Sequence, residues 1–508
     1  MRVTNWMQHN QSLNNINRNM QHLRRLYEQT TSQKVISRPS QDPLVANRAL
    51  RFRTRLSNVE QHQRNVESAH AWMNVSESAL FNLLLDDDSI FAQIKDELMR
   101  AVTGTNVIED KMVMITALEN LLEQITLEMN QTYDGRFVFA GWRTDQPPFL
   151  MMDMPGESHV ITQTFNVRDI ENTFSFQRLT PGAMPTYYPV NIIKLPFPNR
   201  GLNFTDPPPP PLAGMAGVPP FGVRFDNGAG AQDIVPLPRS INDADAYTPV
   251  PGAIHYIVET GELVFHPDLL IDIEDGIEIT YQVSDLQAGD VNPFVYFDTW
   301  STVPRTNIPA IHHWPQEPVQ DINFEFSPGS TTQINSLARN IITANMVADL
   351  RRTIDFTRSL SEQMPDRREL MEIYSQPPFG PGGLGLSGDD LLAAVEDRVI
   401  AETALMTRML SAFGETNGRI RNMMRFMDDY HMVDAIREHT SLGSRMRRVE
   451  MFEIRLEDAE HNYLRLKSEN EDVDMHHALV KQAIAEAAYQ QALRAIANNV
   501  QLSLIHFI

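Results

Sequence analysis

Apolar positions recur every three or four residues at both ends of the chain, and the pattern between them is different. Near the start, Trp6, Leu13, Ile16, Met20, Leu23 and Tyr27 keep that spacing, with His9 as the polar member. Near the finish, Leu493, Ala497, Val500, Leu504 and Phe507 repeat it. On an α-helix this spacing gathers one narrow apolar stripe, which is stable in water only when another helix covers it. It predicts a first helix over residues 4–34 and a last one after the acidic stretch Glu469–Asp474. The first would span about 45 Å.

Inside these ends, Asp42 stands as an N-cap with Pro43 at the first helical position. A second helix follows with the stripe Leu56, Val59, Val66, Met73, Leu80 and Leu84, and a third with Met114, Leu118, Leu121, Ile125 and Met129, closed by Asp134 and Gly135. Phe137, Val138 and Phe139 read as a short buried strand. From Pro147 to Pro328 the chain holds 26 of its 32 prolines, which excludes long helices and leaves strand and loop. Ile254, Tyr256 and Val258, then Leu263 and Phe265, predict a hairpin around Glu259–Glu262; Ile277, Ile279, Tyr281 and Val283 predict a half-buried strand. Helical spacing resumes at Leu337, Ile341, Met346, Leu350 and Ile354 and runs to Tyr374. After a glycine-rich break it returns at Leu391, Val395, Val399, Leu405 and Met409, and again at Phe452, Leu456, Ala459, Tyr463 and Leu466.

These elements predict an α + β fold. Long amphipathic terminal helices form a helix-bundle stem, with an inserted β-rich outer domain and an additional helical segment. The expected divisions are 1–42 with 475–508 as paired terminal helices, 43–149 with 441–474 as a helical rod, 150–335 as the proline-rich outer domain, and 336–440 as a helical insert.

Charge adds a polarity to this picture. The formal net charge is -22, yet residues 1–65 hold eleven Lys or Arg against Glu28, Asp42 and Glu60. A basic arm on an acidic body is a poor nucleic-acid binder, because the body repels phosphate. Arg51, Arg53 and Arg55 fit a solvated helix face that meets acidic helices, and residues 450–474 supply nine acids. The absence of cysteine excludes disulfides and thiolate chemistry. Neither a secretory signal nor a run long enough to span a bilayer is present, so no membrane partner is expected.

Candidate chemistry is thin. Asp86, Asp87 and Asp88 point in different directions on a helix, and the pairs His312-His313 and His476-His477 diverge in the same way, so no metal site is expected. Gly383, Gly385 and Gly388 have the spacing of a dinucleotide loop, but Gln376, Pro377 and Pro378 stand where the feeding strand should be. Pro207–Pro211 reads as a loop stiffener. No cofactor is expected, and no enzyme.

Several segments resemble the bacterial flagellin superfamily and, within it, the hook-associated protein 3 branch, over about the first 150 and last 70 residues. Arg38, Pro39, Ser40, Gln41, Asp42 and Pro43 resemble the superfamily's Arg-Pro-Ser-Asp-Asp-Pro turn, with Gln41 the departure. Gly135-Arg136-Phe137-Val138-Phe139-Ala140-Gly141, followed by Thr144 and Pro147-Pro148-Phe149, is similar to the branch's Gly-Arg-Tyr-Ile-Phe-Ala-Gly segment; filament flagellins usually differ there. Leu442-Gly443-Ser444-Arg445, Ser468–Asp474 and the ending Gln501–Ile508 resemble C-terminal marks of the superfamily.

The resemblance implies a structural axial subunit of the bacterial flagellum, an extracellular hook-filament junction adapter exported by the flagellar type III apparatus without a cleaved signal. The implied partners are copies of itself in a ring, hook-associated protein 1 on the hook side, filament flagellin on the distal side, and an export chaperone at the C-terminal segment. No functional residue carries over to 335–440. The alternative is a filament flagellin with an enlarged surface domain. Readings of a different class are a surface-displayed binding or hydrolytic domain at 150–335 and a nucleic-acid-binding arm at 1–65.

Overall fold

A computed structural model describes residues 5–85, 88–102, 108–165, 170–176, 187–198, 222–226, 231–240, 245–270, 276–301, 312–314, 320–363 and 416–505, with isolated positions between them. Asp86, Asp87, the polyproline run, the three-glycine loop and the helical run from Leu391 to Met409 lie outside the described residues. The chain is α + β and divides into two compact units. The first comprises Met1–Ala69, Phe324–Thr332 and Arg447–Ile508; the second comprises His70–Asn323 and Gln333–Met446.

Nine α-helices are named here in chain order: α1 (Asn5–Ser32), α2 (Pro43–Leu84), α3 (Ile90–Val102), α4 (Ile108–Met129), α5 (Pro293–Tyr296), α6 (Ala338–Ile341), α7 (Ala344–Gln363), α8 (Met432–Glu471) and α9 (Met475–Ile505). In the first unit α1 packs along α9. The α2 stripe is buried at Leu56, Val59 and Val66, and Val449 and Leu456 are buried on α8. A hairpin of Asn323–Ser327 and Ser330–Gln333 joins this unit through Phe326, which is fully buried and stacks at 5.6 Å on Phe452. Asn65 Nδ2 donates to the Glu325 carbonyl at 2.8 Å.

The second unit carries two sheets. The larger runs in the order His312–Trp314, Asp298–Ser301, Met154–Phe165, Ile277–Leu286, Gly222–Asp226, Ala231–Ile234. The smaller runs Glu171–Phe176, Tyr187–Lys194, Glu262–Phe265, Ile254–Ile257, Leu237–Arg239. The expected hairpin is present, with Ile257 opposite Glu262 and Ile254 opposite Phe265. The strand at Ile277–Leu286 differs from expectation. Thr280 and Gln282 are buried along with Ile277, Ile279, Tyr281 and Val283, because the strand is central in its sheet and neither face is open. The described residues between the prolines hold only α5 and a 3-10 turn at Pro267–Leu270 as helix.

Three further expectations change at this level. Asp134 and Gly135 do not close α4, which ends at Met129; both have positive φ (51° and 72°) and form the two-residue turn between strands Thr132–Tyr133 and Arg136–Phe137. Such turns need positive φ at both central positions, which Asp and Gly tolerate. Val138 and Phe139 are fully buried, yet the strand stops at Phe137. Gly141, in the same segment, has φ +65° and faces Gln320 and Leu337 where a Cβ would stand, so only glycine fits. The helical pattern from Leu337 is also not continuous: α6 ends at Ile341, and Thr343 caps α7 by accepting from the Met346 amide on its side-chain oxygen at 3.3 Å. The pattern beyond Gln363 lies outside the described residues.

An ionic core ties α7 to the smaller sheet. Lys194 Nζ meets Glu171 at 2.8 Å and Asp349 at 3.3 Å, and Arg352 meets Asp349 at 2.8 Å. Arg352 also donates to the carbonyls of Thr260, at 2.6 Å, and Leu195. Arg419 pairs with Glu262 at 2.9 Å beneath Tyr247, whose hydroxyl donates to the same carboxylate at 2.8 Å. Burial alone would raise the Glu262 pKa, but Arg419, Arg352 and Lys194 outweigh it and hold it at about 2. The same contest, won by Lys194 and Arg352, lowers Asp349. Satisfied pairs of this kind are costly to break one member at a time.

Candidate assembly interface

The N-terminal stripe separates into two faces. Leu26 is 4% exposed, Ile16 and Leu23 are half-buried, and Thr30 Oγ1 donates to Gln482 Oε1 of α9 at 3.0 Å. This is the face α9 covers. Leu13, Met20 and Tyr27 stand seven residues apart in a second column and remain 43%, 39% and 44% exposed. Tyr27 points away from α9, and Leu26 takes the covered place beside it. Two adjacent residues lie about 100° apart on a helix, so only one of them can point at the single helix alongside.

On α9 the covered face is built from Ala478 and Ala485, with Gln482, Tyr489 and Ala492 half-buried between and beyond them. Small side chains let two helices approach closely. Leu493 is largely exposed, as are Leu479, Val480 and Ile484. The side chains of Trp6, Ala497, Val500 and Leu504, and Phe507 as a whole, lie outside the described residues.

The far end of the helix pair is a closed junction. α1 stops at Ser32, whose hydroxyl donates back to the Glu28 carbonyl at 2.6 Å, and Gln33 takes φ +57°. The chain then runs antiparallel to the segment after α8: the Val35 amide donates to the Glu471 carbonyl at 2.8 Å, and the Val473 amide to the Gln33 carbonyl at 3.0 Å. Asp474 caps α9 by accepting from the His477 amide at 3.2 Å.

The turn motif works as its residue types require. Asp42 Oδ1 accepts from the amides of Leu44 (3.0 Å) and Val45 (3.2 Å), with Pro43 at the first helical position of α2. Arg38 and Gln41 close the preceding turn, the Gln41 amide donating to the Arg38 carbonyl at 3.0 Å. Gln41 Oε1 accepts from the Ser37 amide at 2.9 Å while its Nε2 donates to Ser37 Oγ at 3.1 Å. The amide side chain supplies a donor that an aspartate lacks. Arg38, Pro39 and Ser40 are exposed.

Glu471 is the residue the sequence reading missed. Its buried carboxylate accepts Arg53 Nε at 3.0 Å and Nη2 at 2.8 Å, and Lys34 Nζ at 2.9 Å. Three segments meet there: the end of α1, the first turns of α2 and the last residue of α8. Arg55 stacks on Tyr463 at 5.8 Å. The excess of base before residue 65 and of acid after 450 was the available signal, and Arg53 to Glu471 is where it closes.

The Arg53 hydrogen bond, then Lys34, hold the Glu471 carboxyl at about 2, below its usual 4.5. A carboxyl depressed in the folded state contributes stability that is fully present above its unfolded pKa. That contribution is lost as pH falls from about 4.5 to about 2. Since Arg53 and Lys34 are 57% and 43% exposed, screening limits it to about 1 kcal/mol. Glu471→Gln is expected to lower stability by that amount at neutral pH and to flatten the acid limb of a pH-dependent unfolding curve. An unchanged limb would remove the carboxylate from this role.

Residues 3–144 match the family described as the bacterial flagellin N-terminal helical region. The likeness to flagellins is thus placed in the N-terminal helices. Among curated relatives, the flagellar hook-associated protein 3 of Salmonella typhimurium is 25% identical over 150 residues, 29% of this chain and 46% of that protein. The flagellar hook-associated protein 3 of Escherichia coli is 24% identical over 151 residues, again 29% and 46%. The chain thus spans about half the length of the relatives it matches. Among solved structures, the flagellar junction protein FlgL of Legionella pneumophila is 13% identical with a TM-score of 0.28, covering 84% of this chain and 100% of that one. FlgL of Xanthomonas campestris is 9% identical with a TM-score of 0.31, covering 82% and 98%. Among the described residues, no helix is long and apolar enough to cross a membrane, and no group of three metal-ligating side chains occurs.

Proposed function

We propose that this chain is a structural subunit of the flagellar axis, a hook-filament junction adapter whose copies assemble by packing terminal helices against one another. The observation that carries the reading is the column Leu13, Met20 and Tyr27, left exposed when α9 has taken the other face of α1. A helix pair with an apolar column still in water gains by burying it, and identical subunits that meet head to tail form rings or helical lattices. The names of the sequence relatives and the Gly135–Gly141 segment favour the junction over a filament flagellin. The neighbours are then hook-associated protein 1 on one side and filament flagellin on the other. Export is by the flagellar type III apparatus, with a chaperone holding the C-terminal segment beforehand. The terminal helices (1–42 and 475–508) would form the inner tube, 43–149 with 441–474 the rod, 150–335 the outer lobe, and 336–440 its brace.

Immunogold labelling of intact flagella tests the assignment. The expected result is a single band between hook and filament. Label along the whole filament would make the chain a filament flagellin, and label absent from flagella would end the reading.

A further inference from the structure

Two charged rows of opposite sign lie on exposed faces of the first unit, and each is flanked by apolar side chains in water. On α2, Arg48, Arg51 and Arg55 follow three- and four-residue spacing and share one face, with Leu44 and Leu50 exposed beside them. On α8, Glu450, Glu453 and Glu457 do the same, with Met451 and Ile454 exposed beside them. Arg55 rests on Tyr463 and keeps its charge at the surface.

The rows do not sit at the same height. The two helices run antiparallel, as four contacts fix: Val45 with Asn470, Arg53 with Glu471, Arg55 with Tyr463, Gln63 with Glu460. The centre of the basic row is therefore level with α8 about fifteen residues beyond the centre of the acidic row. At 1.5 Å per residue the offset is roughly 20 Å.

We infer that a second copy of this chain docks here, its arginine row on α2 against the glutamate row on α8 of its neighbour, displaced along the rod by about 20 Å. The inference rests on the reading of the chain as an axial subunit and names the contact that sets its stagger. Opposite charges bring the rows together and fix which heights can match. The flanking leucines, methionine and isoleucine supply the apolar area that charge pairs in water lack. Because the two patches differ, the contact is head to tail. Each copy keeps one patch free for the next, and growth does not stop at two.

The test uses three full-length variants followed by sedimentation and light scattering at low and high salt, with circular dichroism as the fold control. Arg48→Glu with Arg51→Glu, or Glu450→Lys with Glu453→Lys and Glu457→Lys, is expected to weaken self-association at least tenfold. The chain carrying all five reversals is expected to recover to within about threefold of the parent, since the swapped rows again attract. Raised salt should weaken the parent and strengthen either single-row variant, whose facing rows then repel. Three results overturn the contact while leaving the axial-subunit reading intact: parental association by the single-row variants, no recovery in the five-fold variant, or a parent that stops at a closed dimer. A parent that stays monomeric at every concentration and salt overturns both.

Discussion

Met20→Asp with Tyr27→Asp is expected to abolish self-association of the chain while leaving the subunit's own unfolding nearly unchanged. Both side chains are about 40% exposed, so covering that remainder contributes roughly 0.6–1.2 kcal/mol each, about 40% of the value for full burial of a large apolar side chain. Two carboxylates placed in the buried column add a desolvation cost of several kcal/mol. Together these predict a loss of association of about 100-fold or more, at about 1.4 kcal/mol per tenfold. In the isolated subunit the same positions face water, where substitutions change stability by about 0.5 kcal/mol or less. Leu26→Asp is the counterpart. Leu26 is covered by its own chain, so this change should loosen the α1 and α9 pair in the monomer, seen as faster hydrogen exchange along α1. If the double variant assembled like the parent, the exposed column would have no part in assembly.

The second large effect belongs to the ionic core of the other unit. Asp349→Ala removes the carboxylate shared by Arg352 and Lys194, leaving the buried Arg352 without its ion pair and the half-buried Lys194 with Glu171 alone. Breaking a buried pair from one side costs about 3–5 kcal/mol. For a unit of this size, with an unfolding entropy of about 2.1 cal/mol/K per residue, that lowers the midpoint of its thermal transition by roughly 4–7 °C. Differential scanning calorimetry of the full chain reads it directly. A shift under about 2 °C would mean that the cations find other acceptors, such as the Thr260 and Leu195 carbonyls that Arg352 already reaches.

Much of the helical framework was legible because helix stripes are local. Leu56, Val59, Val66, Met73, Leu80 and Leu84 on α2, and Met114, Leu118, Leu121, Ile125 and Met129 on α4, were named from spacing alone, and all are buried. Asp42 with Pro43 marked the start of α2 for the same reason: an N-cap acts within three residues. What spacing could not supply was which neighbour covers which face. A three-and-four stripe is wide enough to serve two partners, so Leu26 and Tyr27 could not be told apart until α9 was seen on one side only. The ionic core was illegible for a different reason. Lys194, Asp349 and Arg352 meet across more than 150 residues, and in sequence each resembles an ordinary surface charge. Glu471 lay in an acidic run that read as a boundary, and only the fold selects it from Glu469, Asp472 and Asp474.

The junction at Glu471 also dictates an order of events as the polypeptide matures. Lys34 and Arg53 reach their shared acceptor across 437 and 418 residues of intervening chain. Loop closure over such distances is slow and comes after local structure has formed. The first helix therefore spends the early part of folding with neither of its greasy sides sheltered, waiting for a strand of polypeptide made hundreds of residues later. In that interval it is open to capture by proteases or by unintended companions.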